Sequence, residues 1–296
     1  MTSINRGNIA IRFHHPGKET EPIYFNNKGI CKWKSKPISV EDNIHSRKYL
    51  ISTGEYISSL TGDKEFGEIG FWGEWEAESK VKKNNIDVNL SKVNPLPQFF
   101  HYPKRPSITP SQLDIHFENT DPCVFGDYFI YSNCQQASKT AKYLKELDVG
   151  DIIIFGSTFS PRDKKMFVID TVFVIKKRIP YIPSNAKETL GKEVPDWYYH
   201  LTLDLIPDNE LILYIGATFN DPVNEMYSFF PCVPVNLYPN GFNRPTIKSN
   251  KIKYLSQSGQ TQGTGRIKGF DSATVWNELV NDILCQGLYL GVNAEI

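Results

Sequence analysis

The sequence predicts an α+β protein that is predominantly β, and three observations carry that expectation. A helically spaced segment ends at Gly150-Asp151 and passes into the apolar run 152–155, which the run 166–175, rich in β-branched residues, answers after a polar loop; together they spell a strand hairpin. Both runs are apolar at successive rather than alternate positions, so each strand has both faces covered, as in a small closed barrel or a sheet backed by helices. Strand and turn signals then recur on either side of the hairpin.

In chain order, residues 9–14 alternate and stop at Pro16-Gly17, and residues 21–25, Asn26-Asn27 and Gly29-Ile30 read as strand, turn, strand. Residues 49–57 form an extended segment with a break at Gly54. The stretch 66–79 is the most unusual in composition. If it is extended, Trp72 and Trp75 face opposite sides while Glu74, Glu76 and Glu78 share one, since side chains alternate along a strand. Three readings stay open for it: a recognition strand whose tryptophan walls an aromatic slot and whose carboxylate accepts from a base edge or cation, a core strand with a solvated acidic face, or carboxylates gathered for a divalent metal. From Lys80 the chain turns basic, and Pro95, Pro97, Pro103, Pro106 and Pro110 mark a long ordered loop or linker, with Lys104-Arg105 as a candidate phosphate contact.

Residues 125–131 are again strand-like. Ser132-Asn133 stand where an N-cap would, ahead of an amphipathic helix over residues 134–147 with Ala137, Ala141, Leu144 and Leu147 on one side and Lys139, Lys142 and Lys145 on the other. Gly150 and Asp151 suit the turn that follows, because glycine tolerates positive φ and aspartate bonds nearby backbone. Leu201, Leu203 and Leu205 alternate with Thr202 and Asp204, and beyond Pro207-Asp208-Asn209 the run 211–217 returns as a hairpin partner. Residues 224–234 suit a pocket lip or a core edge. Residues 258–269 make a glycine-rich loop before a helix capped by Asp271 or Ser272, with Trp276, Leu279, Val280 and Ile283 on its apolar side and Gly287 as its stop. Gly263, Gly265 and Arg266 of that loop are able to hold a phosphate, against the plainer reading of a surface loop.

Thirty-three basic and thirty-three acidic residues cancel, so contact with nucleic acid rests on local patches such as Lys176-Lys177-Arg178 and Lys248, Lys251 and Lys253. With 296 residues and 40% hydrophobic content the chain can bury a sizeable core, either as a β-rich extension over 1–120 and a barrel over 121–296 or as one continuous domain. No apolar run approaches a membrane span and no signal-peptide core follows Met1, so no membrane partner and a cytoplasmic setting are expected. Cys31, Cys123, Cys134, Cys232 and Cys285 are odd in number without a Cys-x-x-Cys pair, pointing away from a disulfide framework or zinc knuckle. Cys232 has no local histidine to make it a nucleophile. His14 and His15 point to opposite faces of a strand, which is poor ligand geometry. Neither a metal nor a cofactor is expected.

An Asn opening a helix, a hydrophobic-x-Gly-Asp turn, a strand ending in small polar residues and then the strand over 167–174 resemble the pattern of the EVE, YTH and ASCH group within the PUA-like superfamily. The matching residues are Asn133, Leu147, Val149, Gly150, Asp151, Ile153, Phe155, Ser157, Val168 and Val172, with a weaker extension over 196–203. The resemblance implies a PUA-like β-barrel with flanking helices and N- and C-terminal extensions, and a pocket similar to a cage for a modified or flipped base. Asn133, Phe155 and Ser157 would face that pocket, and Trp72 or Trp75 would supply a second aromatic wall if the amino-terminal half packs back on the barrel. The wider chain also resembles proteins grouped as nucleotide-modification-associated. The expected function is binding of a nucleotide or a modified base in nucleic acid. The alternative is an enzyme acting on nucleotides or nucleic acid, with Glu74, Glu76 and Asp170 as acid, base or metal ligands, Asp170 being a carboxylate in an apolar strand whose pKa burial would raise.

Overall fold

The structure, a computed structural model, describes residues 8–15, 19, 24–25, 30–32, 47–59, 62–77, 79–86, 96–105, 120–138, 143–159, 166–252 and 271–296. Alternating and apolar runs become strands β1 (Ala10–His15), β2 (Tyr24–Phe25), β3 (Ile30–Lys32), β4 (Lys48–Ile57), β5 (Glu65–Gly73), β6 (Ser79–Lys83), β7 (Phe99–Pro103) and β8 (Ile130–Tyr131). The central hairpin is β9 (Ile152–Phe159) and β10 (Met166–Tyr181); short helices α1 (Ala186–Leu190) and α2 (Asp196–Leu201), strands β11 (Leu211–Gly216) and β12 (Phe230–Pro234), helix α3 (Ser272–Cys285) and β13 (Tyr289–Ala294) follow. The predominantly β, α+β expectation holds.

Two sheets result. One has the order β1-β9-β10-β11-β8, with β1 parallel to β9 and the other pairs antiparallel. The other runs β13-β12-β5-β4-β7-β6-β3-β2, and β13 also pairs with β4, so that β4, β5, β12 and β13 close into a small barrel. The barrel is therefore not built by the Gly-Asp hairpin, as the sequence implied. Parallel addition of β1 along β9, and antiparallel addition of β11 along the far half of the long β10, leaves that hairpin inside an open sheet. Both sheets take strands from either side of residue 120.

The uniform apolarity of β9 and β10 has the expected cause. Ile153, Phe155, Phe173 and Ile175 enter one core, while Ile152, Ile154, Val172 and Val174 enter another on the opposite face; each such side chain stabilises the fold by about 1.5–3 kcal/mol relative to exposure. The turn before β9 is also as read: Gly150 has φ 84°, and Asp151 accepts from Asp148 N–H (2.9 Å) and Ile9 N–H (2.8 Å). Helix α3 follows its signals, with Asp271 accepting from Thr274 N–H at 2.6 Å and Trp276, Leu279, Val280 and Ile283 buried.

Four local expectations are corrected. Gly54 does not break β4; a Cβ there would lie 2.2 Å from the Asn293 carbonyl oxygen, so glycine admits the crossing of β13. Phe99, Phe100, His101 and Tyr102, read as loop, form β7, because Pro97 and Pro103 lie before and at the end of the strand rather than inside it. The predicted strand over 201–205 is instead the end of α2 and a 3-10 turn Leu203–Leu205, in which Tyr198, Tyr199, Leu201 and Leu203 are buried. No helix begins at Cys134: Gln135 has φ 65°, and residues 134–137 form a turn, with a 3-10 turn at 143–145. Residues 139–142 and the glycine-rich loop with Gly263, Gly265 and Arg266 lie outside the described residues.

Candidate functional site

A cluster of buried polar residues meets where the two sheets face each other. Lys48 of β4 pairs with Gly73 of β5, so Arg47 and Glu74, one residue beyond each, leave the same end of that ladder side by side. Opposite them, Ile169 pairs with Gly156 and Thr171 with Phe155, which leaves Asp170 as the extra residue of a β-bulge. A bulge bends its strand and re-aims a side chain, and here it brings Asp170 to the arginine. Arg47 Nε lies 3.2 Å from Asp170 Oδ2, and its Nη2 donates to Glu74 Oε1 at 3.2 Å.

Arg244 closes the cluster from the loop between β12 and α3. Ile169 N–H donates to the Pro245 carbonyl at 2.9 Å and Trp72 Nε1–H to the Phe242 carbonyl at 2.9 Å, so the loop is tied to β10 and β5 on either side of Arg244. The Arg244 guanidinium lies over the Trp72 ring, 4.9 Å from its centroid, donates through Nη1 to Ser157 Oγ at 3.2 Å, and stands 3.8 Å from Asp170 Oδ1. Arg47, Glu74, Asp170, Arg244, Ser157 and Trp72 are all buried. Taking ions out of water costs several kcal/mol each unless partners compensate, and the compensation at Asp170 is incomplete. Neither of its oxygens accepts a well-aligned hydrogen bond. Burial pushes its carboxyl above the ordinary 3.8, with Glu74 adding to the shift and Arg47 and Arg244 opposing it, while burial pulls Arg244 down to about 10.

A second polar line joins at Glu74. His15 Nδ1 lies 3.5 Å from Glu74 Oε1 and also contacts Arg47, and its Nε2 is 3.8 Å from Cys134 Sγ. The loop that presents Cys134 is held by buried Asp121, which accepts from the N–H groups of Ser132 (2.8 Å), Asn133 (2.9 Å) and Cys134 (2.8 Å). Burial outweighs those three bonds and lifts Asp121 to about 7; burial with Glu74 and Asp121 nearby also pushes the Cys134 thiol up.

Of the residues singled out in the sequence, Trp72, Glu74, Ser157 and Asp170 are thus brought together. Phe155 lies one ring away, 5.8 Å from His15, and is wholly buried against Phe13, Tyr131 and Phe173. Asn133 spends its side chain on Ser132 Oγ at 2.9 Å. Trp75 is not part of the cluster: it is buried on the other side, 4.9 Å from Phe125 and 6.5 Å from Trp197. Trp72 and Trp75 therefore form no common cage, and Arg244 covers Trp72. Glu74 and Glu76 are buried rather than on a solvated face, and both follow the end of β5 at Gly73, so strand alternation does not govern them. Among the described residues no three His, Cys, Asp or Glu side chains are placed to hold a metal ion. Cys232 is buried in the core and burial raises its thiol.

Sequence reading missed Arg47, Arg244, His15, Cys134 and Asp121. Of the two adjacent histidines it is His15 that joins the cluster, where arginine and glutamate come from other segments. The patch Lys176-Lys177-Arg178 lies apart, engaged by Asp221, by Glu193 at 2.6 Å and by the Lys145 carbonyl at 2.9 Å. An open hollow of about 390 Å³ beside the cluster is lined by Tyr238, Phe242, Arg244, Lys248, Gln286 and Leu288 among others.

No family model, curated protein or solved structure matches this chain.

Proposed function

We propose that the protein binds a nucleotide or a modified base of nucleic acid where Trp72, Asp170 and Ser157 meet. One observation carries this reading: an aromatic face, a buried carboxylate lacking aligned hydrogen bonds and a hydroxyl converge on a single planar group, the Arg244 guanidinium. A base needs the same set, a face to stack on and acceptors for its edge. The resemblance of the 147–172 stretch to PUA-like base readers points the same way. Stacking contributes about 1–3 kcal/mol per base, and a cation–π contact about 0.5–2 kcal/mol, so a base on Trp72 is of the same order as the arginine contact it would replace. Calorimetric titration with plain and modified oligonucleotides and with free nucleotides tests the proposal; Trp72→Ala should abolish the heat of binding, and no binding to any of them removes the reading.

A second reading, an enzyme acting on nucleotides or nucleic acid with Glu74 and Asp170 as its acid–base groups, is favoured by the burial of both carboxylates around Arg47 and by the upward shift of Asp170. Turnover lost in Glu74→Gln and kept in Trp72→Ala would support it over the binding protein.

A further inference from the structure

We infer that the base taken by this site is guanine, and that Arg244 is an internal stand-in for it which must swing aside before the ligand enters. The inference rests on the nucleotide reading above and narrows it. A guanidinium is a carbon bearing three coplanar nitrogens, and guanine carries the same unit at C2, where N1, N2 and N3 meet. The group now lying on Trp72 donates an N–H to Ser157 Oγ and faces Asp170 as an ion pair at 3.8 Å. Guanine stacked in the same plane offers Asp170 its N1–H and N2–H together, the pair of parallel donors that a carboxylate accepts. Adenine and cytosine place a ring acceptor beside their amino group, which the carboxylate repels; uracil has one N–H between two carbonyls.

Asp170 supplies the independent observation. Arg47 at 3.2 Å and Arg244 at 3.8 Å pair with it as ions, yet neither of its oxygens accepts a well-aligned hydrogen bond although the side chain is only 1% exposed. A buried acceptor in that condition is better satisfied by donors aligned with its two oxygens. The bulge at Ile169/Thr171 fixes its aim, and the hollow of about 390 Å³ that Arg244 itself helps to line is the space into which the arginine turns and through which the sugar and phosphate leave, past exposed Lys248.

The test is a calorimetric comparison of guanosine, adenosine, cytidine and uridine monophosphates on wild type, Arg244→Ala and Arg244→Ala/Asp170→Asn, folding being verified by circular dichroism. Arg244→Ala should bind the guanosine nucleotide more tightly than wild type and prefer it about tenfold or more over the others. Methylguanidinium should compete with it, and the added Asp170→Asn should erase the preference. Should Arg244→Ala not fold, Arg244→Lys, which keeps the charge and gives up the planar group, carries the same comparison. Equal binding of all four nucleotides, or preference for another base, overturns the guanine assignment and leaves the nucleotide reading standing. No binding of any nucleotide or oligonucleotide by either protein overturns both.

Discussion

Replacing Arg47 by methionine tests the central cluster most directly. Arg47 is 1% exposed and is ion-paired to both Glu74 and Asp170 at 3.2 Å. Methionine fills much of the same volume, so packing changes little while both carboxylates lose their shared cation. Breaking a buried pair by removing one partner costs about 3–5 kcal/mol. For a chain of 296 residues that lowers the melting temperature by about 5–8 °C. The pH dependence separates this cause from simple misfit. Asp170 already titrates above its ordinary 3.8 because burial disfavours its anion. Its folded value exceeds its unfolded one, so the folded chain holds the extra proton and this contribution to stability falls as pH rises from the unfolded value through the folded one. Without Arg47 the carboxyl shifts further up, the window widens, and the loss should be largest near about pH 7 and smaller near about pH 5. Urea denaturation of both proteins at the two pH values measures it. A loss below about 1 kcal/mol, or one equal at both pH values, would refute the account of two buried carboxylates that share Arg47.

Asp121→Asn should destabilise by about 2–4 kcal/mol in urea, since an amide group must turn its own donor toward one of three N–H groups; it should also flatten the wild-type decline in stability between pH 3.8 and about 7, where the folded Asp121 holds its proton and the unfolded one does not. Asp271→Ala should cost about 1 kcal/mol through loss of the α3 cap, with no change in nucleotide binding by calorimetry. Alkylation followed by peptide mass spectrometry should mark exposed Cys285 first, Cys134 later because its thiol is pushed up, and buried Cys123 and Cys232 only in denaturant; early labelling of Cys134 would mean that His15 activates it.

Where the determinants are local, the sequence was legible. Asp271, the apolar spacing from Trp276 to Ile283 and Gly287 mark α3 within one segment, and Gly150-Asp151 marks the turn before β9, because caps and turns depend on neighbours a few residues away. The apolar doubling in β9 and β10 announced two covered faces. Short patterns misled: three alternating leucines became α2 and a 3-10 turn once Tyr198 and Tyr199 found burial, and proline clustering hid β7 because only its flanks carry proline. At the site, unusual composition drew attention to Trp72 and Glu74, and a lone carboxylate in an apolar strand drew it to Asp170. Nothing near Arg47 or Arg244 in sequence marks them.

By itself, then, the chain declared helix α3 and the hairpin strands β9 and β10, though not the course of 134–147, together with its balance of charge and the oddity of an aspartate inside a hydrophobic run. The closure of β4, β5, β12 and β13 into a barrel, the bulge that aims Asp170, and the meeting of two arginines with two carboxylates over Trp72 were decided only in three dimensions. The physical reason is range: hydrogen bonds of turns and caps close within a few residues, whereas buried charges are compensated by whichever segments the sheets carry together, here residues 47, 74, 170 and 244.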